Sequence, residues 1–589
     1  MQRGYLKRVY LNCIVLLLLI IVTGAVAQAD GPEPVLVKDI YPGYTSSVPY
    51  NLTNVNGMLF FATSDPVKGY RLWKSNGTAN GTVEVKHIPL NNYTFASGFP
   101  REMTNVNGTL FFTTDDGVHG VELWKSNGTA AGTVMVKDVR PGSLSSGPYN
   151  LTNVNGTLFF IAYDGVHGNE LWKSDGTATG TVMVKDIYTS IYRYSPFLTN
   201  VNGTLFFAID DGIHGNELWK SDGTATGTVM VKDIFPITYP SPGGSLPFNL
   251  TNVNGTLFFL ANDGVHSHEL WKSNGTAAGT VMVKDILPGN NGQNIYNTNL
   301  TNVNGTLFFL AYDGIHGYEL WKSNGTAAGT VMVKDILPGN PNLNEYPLYL
   351  TDVNGTLFFL ANDGVHGDEL WKSNGTAAGT VMVKDINFYS SPLILTNVNG
   401  TLFFSAADTP FNGNELWKSD GTAAGTVMVK DITLGNSLSS YPADLTNVNG
   451  TLFFRADDGI HGTELWKLSD GPIAPDNQIP TSPQLITPTL GVNLTTLRPV
   501  FDWTNATDNV GVVSYTLTLK DAENRTSKFI STISTYTPRS NLAQSHYTWS
   551  VMAHDAAGNS SVPSHPANFA IISQAPLNKK AYLPIVLKK

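Results

Sequence analysis

The chain has 589 residues, 42% hydrophobic and only 14% charged, with 57 glycines, 32 prolines and a formal net charge of −10. That length exceeds a single compact core of the usual kind, so several domains or a repeat array are expected. The low charge and ample apolar content exclude a disordered chain, and an acidic balance with no basic cluster in the repeats excludes nucleic acid as a partner.

At the N-terminus Arg3, Lys7 and Arg8 precede an apolar run from Leu11 to Val22, followed by the small residues of TGAVAQAD. This is the layout of a secretory signal peptide, predicted over 1–29, with cleavage after Ala27 or Ala29; the alternative is an uncleaved signal anchor. The run is short for a bilayer crossing, so no transmembrane segment is expected in the mature chain. Cleavage removes three of 36 basic residues and leaves 33 against 46 acidic ones, a net of −13. Cys13, the single cysteine, lies inside the leader. An exported chain with no thiol for disulfides reads as bacterial, and its many N-G-T triplets read as turns.

From Val35 to Trp466 one unit recurs nine times, marked by Trp73, Trp124, Trp172, Trp219, Trp271, Trp321, Trp371, Trp417 and Trp466, with a period of about 49 residues. The copy LTNVNGTLFFIAYDGVHGNELWKSDGTATGTVMVKDI, from Leu151 to Ile187, divides at its turn signals into four strands. LTNV meets TLFFIA across Asn155-Gly156, a pair suited to the two positive φ values of a type I′ hairpin. Consecutive apolar residues in TLFFIA require cover on both faces, as in a sheet stacked between similar sheets. ELWKS then connects through a glycine-bounded turn to VMVKDI, completing a four-stranded antiparallel meander.

The ends of the array match. An orphan VLVKDI, Val35 to Ile40, precedes the first unit, and the ninth unit breaks off after ELWK at Glu464 to Lys467. The fold expected is therefore all-β, a closed β-propeller-like array of nine four-stranded repeats over 30–471, with the N-terminal strand completing the last blade. An open superhelical stack is the rival.

The segment ELWKSDGT, Glu170 to Thr177, resembles the ELWxxDGT repeat of secreted bacterial proteins, some of them hyalin-like; several copies here read KSNGT and the first reads RLWKSNGT. The resemblance implies an exported, surface-associated array and carries no catalytic residue to transfer.

A proline-rich linker is predicted over 472–484, a second domain over 485–575 and a C-terminal tail over 576–589. Alternation at Tyr515, Leu517, Leu519 and at Tyr547, Trp549, Val551 fits a sandwich of short strands. The pieces FDW, YTLTL, YTWSV and DAAGN are similar to a bacterial fibronectin type III or Ig-like domain, which implies a spacer or adhesive module.

The most suggestive chemistry is DG(V/I)HG, found in seven units as Asp116 with His119, Asp164 with His167, Asp211 with His214, Asp263 with His266, Asp313 with His316, Asp363 with His366 and Asp458 with His461. A Glu follows each His by three residues, so a metal or acid–base site is conceivable. The other reading is a turn: Asp-Gly reverses the chain, His closes it, and Glu opens the next strand. Repetition in register argues for that reading, since catalysis needs different groups converging on one substrate. No catalytic residue, metal or cofactor is predicted.

Crossovers between units vary and are rich in Tyr, Pro and Asn, the composition of recognition loops. In a meander they open on the same face as the DG(V/I)HG loops. Candidate ligand-binding residues are therefore Tyr41, Tyr44, Tyr192, Tyr194, Tyr239 and Tyr296, with His119, His167, His214, His266, His316, His366 and His461. The expected function is a secreted or cell-surface binding or adhesion protein, with an extracellular protein or glycan as partner. A secreted polysaccharide lyase or glycosidase and a structural envelope protein are the alternatives.

Overall fold

The computed structural model describes residues 32–42, 45–65, 69–88, 98–187, 197–236, 243–288, 300–339, 347–387, 392–407, 413–433, 439–468, 479–506, 512–531, 534–555 and 559–573. Regular structure among them is entirely β, with no helix long and apolar enough to cross a membrane. The chain divides into two compact units, Met1–Gly471 and Pro472–Lys589. The expected leader and tail lie outside the described residues, as does most of the expected linker.

The first unit holds nine four-stranded antiparallel sheets. In the third, the strands are Tyr149–Val154, Thr157–Tyr163, Asn169–Ser174 and Val182–Lys185, each paired with its sequence neighbour. Asn155 (φ 50°) and Gly156 (φ 84°) both take the left-handed conformation, as a two-residue type I′ turn requires. The fourth strand is shorter than VMVKDI. It stops at Lys185, because the amide of Ile187 turns away to donate to Glu170 Oε2 at 2.9 Å.

The all-apolar second strand is explained by stacking. Leu158, Phe160 and Trp172 pack with Phe111, Leu123 and Val136 of the second sheet. Phe159, Ile161 and Leu171 face the other way, onto Leu205, Phe207 and Trp219 of the fourth. Alternate residues of one strand thus serve two cores, and each buried Phe contributes about 1.5–3 kcal/mol.

Lysines tie neighbouring sheets together. Lys137 of the second sheet reaches over the Trp172 ring, 5.8 Å from its centroid, and donates to the Thr181 carbonyl at 2.8 Å. Lys173 of the third donates to the Gly223 carbonyl of the fourth at 2.8 Å. The apolar stems lie along the sheet while the charged ends find oxygens or a π face.

The hairpin joining third and fourth strands is a hydroxyl network. Ser174 Oγ donates to Thr181 Oγ1 at 2.7 Å, Thr181 Oγ1 in turn donates to the Thr177 carbonyl, Asp175 Oδ1 accepts from Thr177 N and Oγ1, and Thr177 Oγ1 accepts from Gly180 N. This accounts physically for S-(D/N)-G-T-x-x-G-T: each polar residue closes one bond of the turn, and Asn or Asp supplies the same acceptor oxygen.

The orphan N-terminal segment forms the strand Pro34–Lys38 and pairs antiparallel with Thr463–Leu468, Leu36 opposite Trp466, as the outer strand of the ninth sheet. Val37 and Ile40 then pack with Phe61 and Trp73 of the first sheet and with Phe453 and Leu465 of the ninth. Lys38 caps Trp73 at 5.8 Å and donates to the Thr82 carbonyl, as its counterparts do elsewhere. A Cβ on Gly57, in the first sheet's turn, would collide with the Asn449 amide of the ninth; Gly156 and Asn107 stand in the same relation within the array.

The second unit has a three-stranded sheet (Leu485–Thr487, Phe501–Trp503, Thr535–Tyr536) and a five-stranded one ordered Val492–Leu494, Ala567–Ile571, His546–Asp555, Val512–Lys520, Thr526–Ser531. Tyr515, Leu517, Leu519, Tyr547, Trp549 and Val551 all enter one core with Phe501, Trp503 and Phe569.

Candidate functional site

Each DG(V/I)HG loop is built around its aspartate. Asp164 Oδ1 accepts from the amides of Val166 and His167, both at 2.9 Å, and Oδ2 meets His167 Nδ1 at 2.6 Å. The Nδ1–Oδ2 distance is 2.7–2.8 Å in the pairs His119–Asp116, His214–Asp211, His266–Asp263, His316–Asp313, His366–Asp363 and His461–Asp458. All seven histidines are thereby oriented. Hydrogen bonding to the aspartate, joined by its charge and that of a second Asp at the start of the crossover, raises each imidazole pKa over the opposing effect of burial. Partial burial would raise the aspartates, but their donors outweigh it and hold them below the ordinary value.

The glutamate three residues on is enclosed. Glu122, Glu170, Glu217, Glu369 and Glu464 are 0% exposed. Glu122 accepts from the amides of Val139 (3.1 Å) and Ser146 (2.9 Å) and from the Ser146 hydroxyl (2.5 Å), so it fastens the crossover to its sheet. Burial pushes Glu122, Glu269, Glu319 and Glu464 up to about 7, against the pull of these donors, and raises Glu217 and Glu415 as well.

The serines that complete this bond were not singled out by the repeat pattern. Ser47, Ser146, Ser245 and Ser440 pair with Glu464, Glu122, Glu217 and Glu415, with hydroxyl–carboxylate distances of 2.5–2.7 Å. Each opens an S-x-P turn whose middle residue has positive φ: Val48 (44°), Gly147 (54°), Leu246 (48°) and Tyr441 (47°). The signal was present as SVPYN, SGPYN, SLPFN and SYPAD, hidden among crossovers of different length.

These crossovers lie on the loops. Val121 N donates to Ser145 Oγ, Gly147 N to the Val121 carbonyl, and Asn216 N to the Gly243 carbonyl. Loops and crossovers therefore share one end of their sheets. At that end the loop tips Val118, Val166, Ile213, Val265, Ile315, Val365 and Ile460 are 60–74% exposed.

Of the candidate tyrosines, Tyr41 is half-buried; its hydroxyl lies 3.2 Å from Thr63 Oγ1 and accepts from Arg71 Nη1 at 2.9 Å. Tyr44, Tyr192, Tyr194, Tyr239 and Tyr296 lie outside the described residues. The seven candidate histidines stand one per sheet, each committed through Nδ1 to its own loop. In the first unit Arg71 takes the place of the buried Glu and pairs with Glu84 at 3.3 Å. Among the described residues no three His, Cys, Asp or Glu side chains converge as a metal-ligand set.

No known family and no curated protein matches the sequence. Among solved structures, the chain is similar to the extracellular domain of a proposed hybrid two-component system from B. thetaiotaomicron, at 14% identity over 92% of this chain and 69% of that one, with a TM-score of 0.35. Another such domain from the same organism matches at 11% identity over 90% of this chain and 98% of that one, TM-score 0.23. A human fibronectin type III domain covers 18% of this chain and 99% of its own length at 16% identity, TM-score 0.14. At these scores the functional reading comes from the chain's own residues.

Proposed function

We propose that the first unit is a closed nine-bladed β-propeller of the ELWxxDGT, hyalin-like kind. In this reading it is carried on an exported bacterial protein with an Ig-like or fibronectin type III module, and it binds an extracellular protein or glycan without catalysis. Ring closure is supported by the junction of ninth and first sheets, where core, lysine cap and turn contacts repeat those between internal neighbours. One observation carries the functional reading: the repeat's reactive side chains are spent on its own scaffold. The glutamates are sealed under the crossovers and the histidines are locked to their loop aspartates, whereas a glycosidase needs two carboxylates open to substrate. What remains exposed at that end is a set of seven aliphatic tips beside crossovers that differ from unit to unit, the arrangement of a multivalent docking surface.

The test is an array of glycans and extracellular-matrix proteins probed with residues 30–589. Val166→Asp, Ile213→Asp and Val265→Asp combined should weaken binding at least tenfold with the melting temperature unchanged. If binding survives them and is lost on Ala178→Asp with Ala225→Asp in the opposite hairpin turns, the binding face has been assigned to the wrong end.

A further inference from the structure

The innermost strands carry a position at which the otherwise uniform repeat diverges. Two residues before the Thr of each T-(N/D)-V-N-G motif stand Asn51, Glu102, Asn150, Phe197, Asn249, Tyr349, Ile394 and Asp444, one in each sheet described there. All but Phe197 have φ between 53° and 58°. Asn tolerates that conformation, whereas Glu102, Tyr349 and the β-branched Ile394 do not adopt it without strain. A bulge imposes it: the pairing of first and second strands shifts register between Tyr149 and Thr152, and at the same place in the other units. Strain kept at one position while side-chain identity changes marks a site where units are individualised.

This position borders an open groove of about 400 Å³ along the first strands of sheets four to seven. Phe197, 45% exposed, and Asn249 line it together with Thr199, Thr251 and Thr301. Thr199 and Thr301 donate to the carbonyls of Leu250 and Leu350 in the next sheet, at 3.1 and 3.4 Å, and Thr251 donates to the carbonyl of Asn249 at 3.1 Å. With their protons committed, they offer the groove oxygen lone pairs. Leu350 also lines it. No lining residue is charged.

We infer that this groove binds a neutral pyranose sugar, with Phe197 as a flat apolar platform and the threonine oxygens accepting from sugar hydroxyls. An ion has no countercharge here, and a purely apolar ligand would leave the oxygen lining unpaired. A pyranose has both a C–H face for an aromatic ring and a rim of hydroxyl donors. The site is distinct from the loop tips and stands independently of them.

Titration calorimetry of residues 30–589 with maltotetraose, cellotetraose, laminaritetraose, mannotetraose and chitotetraose tests it. At least one is expected to bind with a Kd of 1 mM or lower. Phe197→Asn, which installs the residue other units already carry there, should weaken it at least tenfold, while Ile530→Asp, at an exposed position of the second unit, leaves it unchanged. The inference is overturned if none of the five binds, or if binding is indifferent to Phe197→Asn. Binding lost only with Val166→Asp would overturn this site and support the loop-tip surface.

Discussion

The side-chain amide of Asn54 donates to the main-chain carbonyl of Asn447, 393 residues further along the chain, at 3.4 Å. The same bond runs between sequence neighbours: Asn153 to Asn105 at 3.2 Å, Asn200 to Asn153 at 3.3 Å, and Asn447 to Asn397 at 3.4 Å. Each turn-forming Asn therefore does two things. Its Oδ1 accepts from the turn glycine, as Asn153 does from Gly156 at 2.9 Å, and its amide reaches the preceding sheet. The ninth and first sheets are joined by the chemistry that joins the rest.

Asp352 stands at this position in the seventh sheet. Its Oδ1 still accepts from Gly355 at 2.8 Å, but a carboxylate has no amide to donate to the carbonyl of Asn302. Asp352→Asn should restore the missing link and stabilise the unit by about 0.5–1 kcal/mol, read as a rise in denaturant midpoint at constant slope. A fall in midpoint would mean that the aspartate serves a purpose that the ladder does not explain.

The titrating groups set a pH profile. Glu122, Glu269, Glu319 and Glu464 are held near 7, well above a free glutamate, so the folded state binds protons that the unfolded chain has released, and stability falls as pH rises from about 4.5 to 7. The raised histidines act in the same direction: their contribution is fully present below about 6.5 and is lost as pH rises through the folded-state values. The loop aspartates, lowered in the fold, lose their contribution only as pH falls below about 3.8. The melting temperature should accordingly peak near pH 5 and be lower at pH 8. A profile that climbs steadily to pH 8 would show the glutamates to be ionised throughout.

Ser146→Ala removes one donor from Glu122 and leaves two amides on it, at an expected cost of about 1 kcal/mol. Glu122→Gln retains the shape but turns an NH2 toward donors, at a cost of about 1–3 kcal/mol. Hydrogen exchange should register both as faster amide exchange at Val139 and Ser146, with the core amides of Phe160 and Leu171 unaffected. Equal protection in both variants would show that the crossover is held by other contacts.

Much of this fold was legible because the repeat converts chemistry into spacing. Asn-Gly called for two positive φ values and has them; the apolar run at Leu158 to Ile161 called for two cores and has them; the alternation at Tyr515 and Tyr547 points inward as expected. The carboxylate of Glu122 was read as a strand opener, and its partner Ser146 was missed, because the bond spans a crossover whose length and sequence vary among the units. The bulge at Asn150 was also illegible: Asn, Glu, Tyr and Ile share no propensity for it, and the register of the sheet imposes it. The tyrosines chosen by composition fall, apart from Tyr41, outside the described residues, and Tyr41 proved to be packed beneath Arg71, whose guanidinium lies 5.4 Å from its ring centroid.

Pro34–Lys38 supplies the outer strand of the ninth sheet and packs, through Val37, against the first. A chain beginning at Tyr41 would leave Thr463–Leu468 as an open edge and remove the Lys38 cap from Trp73. Thermal unfolding of that chain beside one beginning at Asp30 is the most direct test of the proposed ring closure. Closure predicts a melting temperature lower by 10 °C or more for the Tyr41 chain, with recovery when a synthetic peptide spanning 30–40 is added in excess. Identical melting curves for the two chains would contradict it.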